Sequence, residues 1–80
     1  MRRLLIIDDE ASTCLVRSRF FTAKGYAART AASLEEGRAA LHREGFELIL
    51  LDLKLPDGLG TEFLAEVHRL DPYLPVLMMS

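Results

Sequence analysis

Residues 47–58 read Glu-Leu-Ile-Leu-Leu-Asp-Leu-Lys-Leu-Pro-Asp-Gly: an apolar run that stops at Asp52 and is separated by three residues from a Pro-Asp-Gly turn signal. A run that is apolar at every position, rather than at alternate ones, suits a strand covered on both faces, as in a parallel sheet sandwiched by helices. Residues 3–7 (Arg-Leu-Leu-Ile-Ile) repeat the pattern and stop at Asp8 and Asp9. A third run, residues 75–79 (Pro-Val-Leu-Met-Met), follows the breakers Asp71-Pro72. The smaller, mixed stretch Tyr26–Ala31 reads as an edge strand.

Helical patterns fill the intervals. Residues 11–24 carry Val16, Phe20 and Phe21 as an expected core stripe and end at Gly25, a C′ residue. Residues 34–44 follow Ser33, with Glu36 completing a Ser-x-x-Glu capping box. Residues 61–70 carry Phe63, Leu64 and Val67 and stop ahead of Pro72. The order βαβαβαβ, with right-handed crossovers, predicts a parallel α/β sheet in one small domain.

Composition narrows the function. Half of the 80 residues are hydrophobic and the net charge is −2, which supplies a core and disfavours a general nucleic-acid surface. No run approaches the roughly 18 apolar residues of a membrane span, and the Met1-Arg2-Arg3 cluster is followed too soon by acids to open a secretion leader. The single cysteine, Cys14, excludes an internal disulfide, fits a reducing cytoplasm, and reads as a small, partly buried helix residue. His42 and His68 read as solvated helix residues, and Glu10 as a first-turn acid favourable to the helix dipole.

Ligands of open α/β sheets bind beyond the carboxyl ends of the strands. There this chain places Asp8 and Asp9, Asp52, and Ser80. Two carboxylates about 5 Å apart repel by roughly 3 kcal/mol at an effective dielectric near 20, so three of them require a proton or a cation. Hard oxygen donors around a small open pocket favour Mg²⁺.

The sequences Ile-Ile-Asp8-Asp9-Glu10, Leu-Leu-Asp52-Leu-Lys54-Leu-Pro56-Asp57-Gly58 and Pro75-Val-Leu-Met-Met-Ser80 resemble, in order and spacing, the motifs of bacterial response-regulator receiver domains. The resemblance spans the 80 residues. It implies a flavodoxin-like sheet of strand order 2-1-3-4, with the fifth strand and last two helices missing, so that residues 1–80 form a partial receiver domain without an output domain. It also implies that Asp52 accepts a phosphoryl group from a histidine kinase or phosphotransfer protein. By the same resemblance Asp9 and Asp52 bind Mg²⁺ directly, Asp8 acts through water, the Lys54 backbone carbonyl completes the protein ligands, and the Ser80 hydroxyl senses the phosphoryl group. The implied role is a cytoplasmic signalling switch, not an enzyme beyond assisting its own phosphorylation and dephosphorylation, whose parent regulates transcription.

Leu59 departs from the family, since many receivers carry there an acid that could cap the third helix; Gly60 or Thr61 is expected to substitute. The family's lysine and aromatic switch residue lie past Ser80. Without the last helix, the Leu and Ile side chains of the first and third strands are expected to lose a covering layer, and residues 75–79 to become an apolar edge open to self-association. A phosphorylation-independent interaction or dimerisation module is therefore the alternative function. A haloacid-dehalogenase-like phosphohydrolase is disfavoured, because Asp52-Leu-Lys54 lacks the second acid of Asp-x-Asp.

Overall fold

The structure, a computed structural model, describes residues 2–79, so Ser80 lies outside the described residues. Nine elements follow one another: β1 (Arg2–Ile7), α1 (Ala11–Ala23), β2 (Tyr26–Ala31), α2 (Leu34–Arg43), β3 (Leu48–Asp52), β4 (Lys54–Leu55), β5 (Gly58–Leu59), α3 (Gly60–Leu70) and β6 (Val76–Met79). Four of the strands make one sheet of order β2-β1-β3-β6, parallel throughout. This is the expected 2-1-3-4 arrangement. The interposed pair β4–β5 is a two-residue antiparallel hairpin turning at Pro56-Asp57.

The unbroken apolar runs occupy the two central strands. Leu4, Leu5, Ile6, Ile7, Ile49, Leu50 and Leu51 are all at most 1% exposed. Alternate side chains serve opposite faces. Leu5, Ile7, Ile49 and Leu51 pack with Leu34 and Ala40 of α2 and with Phe63 and Val67 of α3, while Leu4, Ile6 and Leu50 pack with Cys14 and Phe21 of α1. The expected loss of a layer over the first and third strands is thus corrected. Helix α1, with Tyr26, Leu48 and Met79, closes over Leu4, Ile6 and Leu50.

The apolar surface left bare lies elsewhere. On β6, Leu77 is 52% and Met78 37% exposed, while on α1 Val16 and Phe20 face solvent. The core stripe expected at Val16, Phe20 and Phe21 is therefore corrected to Cys14 and Phe21, seven residues and two turns apart. Phe20 instead stacks edge-on against Phe21 at 5.1 Å, with the Lys24 ammonium 5.3 Å from its ring centre.

Helix ends explain how the loops are held. Gly25 follows α1 at φ +95°, the left-handed C′ position its lack of a Cβ permits. At α2, Ser33 Oγ accepts from Glu36 N–H at 3.1 Å, the forward half of the capping box. The return half goes one residue further back, Glu36 Oε1 accepting from Ala32 N–H. The two remaining N–H groups of the first turn, Leu34 and Glu35, both donate to the Asp57 carboxylate at 2.9 Å. These bonds hold the Asp57 carboxyl below the usual carboxylate range.

Helix α3 starts one residue before the expected position. Leu59 is its N-cap without a side-chain bond, so neither Gly60 nor Thr61 substitutes as a cap. Gly60 N–H donates instead to Leu53 O at 2.7 Å. A Cβ at Gly60 would lie 2.3 Å from Asp52 O, so α3 can approach the end of β3 this closely only with glycine there.

Gly60→Ala is expected to cost about 1–3 kcal/mol through this clash with rigid backbone, read as a fall in melting temperature. Asp57→Ala is expected to lower the melting temperature at neutral pH. Because the folded pKa of Asp57 is depressed, its contribution is complete above the ordinary aspartate value near 4 and is lost as the pH falls through the depressed value. The difference between the wild type and the variant should accordingly shrink in acid, as measured by melts across pH.

Candidate acidic pocket

The pairing of β1 with β3 decides where the acids go. Leu4 to Ile7 lie opposite Leu48 to Leu51, so the chain leaves the two strands at Asp8 and Asp52, side by side. Asp9 follows in the loop to α1. The three carboxylates each offer an oxygen, and these atoms lie within 4.8 Å of one another. They converge on an open cavity of about 250 Å³ that Glu10, Thr13 and Arg17 also line. A larger recess, about 380 Å³, touches Asp8 and Asp9 from the side of Thr30 and Glu36, but Asp52 does not reach it.

The three acids are held differently. Asp8 is 6% exposed. Its Oδ1 accepts from Glu10 N–H at 2.9 Å, and its Oδ2 from the Arg17 guanidinium at 3.1 Å. Asp9 is exposed, and Asp52 is half-buried with Oδ1 accepting from its neighbour Leu53 N–H at 2.8 Å. One buried, oriented carboxylate and two accessible ones suit an exchangeable hard cation with waters among its ligands.

Neighbours add no soft ligand. The Cys14 thiol donates to Asp8 O at 3.2 Å, and burial first, then the Asp8 charge, push its pKa up. It therefore stays protonated. Glu10 is the N-cap of α1 rather than a first-turn residue, and its Oε1 accepts from the Thr13 hydroxyl at 2.5 Å.

Among the expected site residues, Asp8, Asp9 and Asp52 come together. Lys54 lies two residues on, exposed in β4, where its register partner is Leu59; Ser80 is outside the described residues. His42 and His68 are exposed on α2 and α3, as expected. Arg17 was not anticipated. Its signal in the sequence is faint: a basic residue between Cys14 and Phe21, the two residues that turn α1 towards the sheet.

Comparison with known proteins bears on the arrangement. The family model described as the response regulator receiver domain matches residues 4–80. The transcriptional regulatory protein GlrR of Escherichia coli K12 is 31% identical over 96% of this chain, which covers 17% of that protein. The response regulator protein PilR of Pseudomonas aeruginosa is 32% identical over 99% of this chain, covering 18% of that protein. The chain thus spans under a fifth of the length of these relatives. A CheY-like receiver domain protein from Methanospirillum hungatei superposes with a TM-score of 0.93 at 37% identity, over 98% of this chain and 62% of that one. With its sheet order, its acids at the ends of β1 and β3, and this match over nearly its whole length, the chain belongs to the response regulator receiver domain family.

Proposed function

We propose that this chain is a phosphoacceptor switch in which Asp52 takes a phosphoryl group from a histidine kinase or phosphotransfer protein. The observation that carries the reading is the convergence of Asp8, Asp9 and Asp52 on one open cavity at the carboxyl end of the sheet. Asp52 is the central acid, half-buried at the end of β3 and fixed in rotation by Leu53 N–H. Its carboxylate attacks phosphorus, the bond to the donor histidine nitrogen breaks, and an acyl phosphate remains on Asp52. Three carboxylate donors fit Mg²⁺, with Asp9 and Asp52 as direct ligands, Asp8 acting through water, and the Lys54 carbonyl completing the set. When bound, Mg²⁺ supplies alignment and neutralises the charge that builds on the transferred group. The Ser80 hydroxyl is assigned the sensing of the phosphoryl group. A part in the regulation of transcription is suggested by relatives named as transcriptional regulatory proteins.

Phosphorylation is checked by incubation with acetyl phosphate and MgCl₂ followed by intact mass. A single phosphoryl increment is expected, lost in Asp52→Asn and when EDTA replaces MgCl₂; labelling of Asp52→Asn at the wild-type level would sink the assignment.

A second reading, a phosphorylation-independent dimerisation module, draws on one observation. Leu77 and Met78 are exposed on β6, which among the described residues has no strand beyond it. Unpaired apolar edges recruit other strands. The 80-residue segment by itself is expected to self-associate at micromolar concentration in light scattering, and Leu77→Lys to reduce that association. A cooperatively melting monomer would exclude this route.

A further inference from the structure

The acidic pocket contains its own cation. Arg17 projects from the second turn of α1 with a side chain only 23% exposed, and its Nη1 lies 3.1 Å from Asp8 Oδ2. It lines the cavity shared by Asp9 and Asp52, and it is the one basic residue to do so among the described residues. Asp8 is therefore engaged at both oxygens, by Glu10 N–H and by the guanidinium.

We infer that Arg17 is the resident counter-charge of the pocket and weakens its hold on a divalent cation, the two positive groups competing for the field of the same three carboxylates. The inference rests on the divalent-cation reading above. The cavity is lined by four acids, Asp8, Asp9, Asp52 and Glu10, a formal charge of −4 that the guanidinium reduces to −3. A dication entering beside it meets one positive charge at a distance of order 6 Å, and even at the dielectric of water that repulsion lowers affinity about tenfold. Arg17 cannot be credited instead with setting the Asp8 rotamer, since Glu10 N–H already fixes Oδ1 at 2.9 Å. In the cation-free state the same guanidinium relieves repulsion among the acids, so the protein without divalent ions depends on it.

The test is calorimetric titration of MgCl₂ into the wild type, Arg17→Gln and Arg17→Lys, with thermal melts in EDTA and in saturating MgCl₂. Arg17→Gln is expected to bind Mg²⁺ about tenfold more tightly, to melt lower in EDTA, and to gain more from Mg²⁺ than the wild type. Arg17→Lys keeps the charge and should stay near the wild-type affinity. If the wild type binds Mg²⁺ and Arg17→Gln binds it no more tightly, the counter-charge role is overturned while the cation reading stands. If neither binds, the cation reading falls and this inference falls with it. Should Arg17→Gln not fold in EDTA, the wild type alone decides. Nitrogen-15 spectra of the Arg17 side chain must change on addition of MgCl₂, and an unchanged Arg17 signal at saturation overturns the competition.

Discussion

The register of β1 against β3 is the constraint from which the remainder follows. Ile7 lies opposite Leu51, so Asp8 and Asp52 must leave the sheet together. That register is held by apolar burial, which each fully buried Leu or Ile favours by about 1.5–3 kcal/mol. A slip of one residue would turn every Leu and Ile of β1 to the opposite face. The sheet thus forces like charges into proximity, each pair repelling by roughly 3 kcal/mol at about 5 Å and a dielectric near 20. What offsets the repulsion is local: Arg17 and Glu10 N–H at Asp8, Leu53 N–H at Asp52, and solvent at Asp9.

The loop that leaves Asp52 is tied to two helices within a few residues. Leu53 donates to the Asp52 side chain and accepts from Gly60 N–H at the start of α3. The hairpin β4–β5 then delivers Asp57 to the first turn of α2. These two helices are themselves bridged where the Arg38 guanidinium forks onto Glu66 at 2.6 and 3.0 Å and lies over Phe63. This partly exposed pair contributes modestly to stability and links α2 to α3. The loop that follows Asp52 is therefore fastened to the N-termini of both helices on that face, through Leu53 O and the Asp57 carboxylate.

Much of this is legible in the residues. Uninterrupted Leu and Ile runs announce buried parallel strands, Gly25 and Ser33 announce helix ends, and aspartates directly after such runs announce a site at the sheet edge. The parts that were not legible are those fixed by contacts between distant residues. Asp57 reads as a turn residue, and its bonds to Leu34 and Glu35 span 23 and 22 positions. Arg17 and Asp8 are nine apart and meet only because α1 folds back along β1. The facing of α1 differs from the expected one because Val16, Phe20 and Phe21 satisfy helical spacing as well as Cys14 and Phe21 do. Only the sheet decides between those two faces.

The two edges of the sheet are built differently, and the difference bears on the site. The outer strand β2 reads Tyr-Ala-Ala-Arg-Thr-Ala, and Arg29 on it is paired with Glu44 at 2.7 Å. A charged, small-residue edge of that kind resists pairing with another chain. The opposite strand β6 reads Val-Leu-Met-Met and has no charge. It is also the strand that abuts the site, since Met79 lies opposite Asp52 in the β3–β6 register and Met79 O accepts from Leu53 N–H at 3.2 Å. Leu53, which orients the Asp52 carboxylate, thus shares its N–H between Asp52 and the strand that is outermost among the described residues. The position of the Asp52 carboxylate and that of β6 are thereby linked through one donor, 2.8 Å from Asp52 Oδ1 and 3.2 Å from Met79 O.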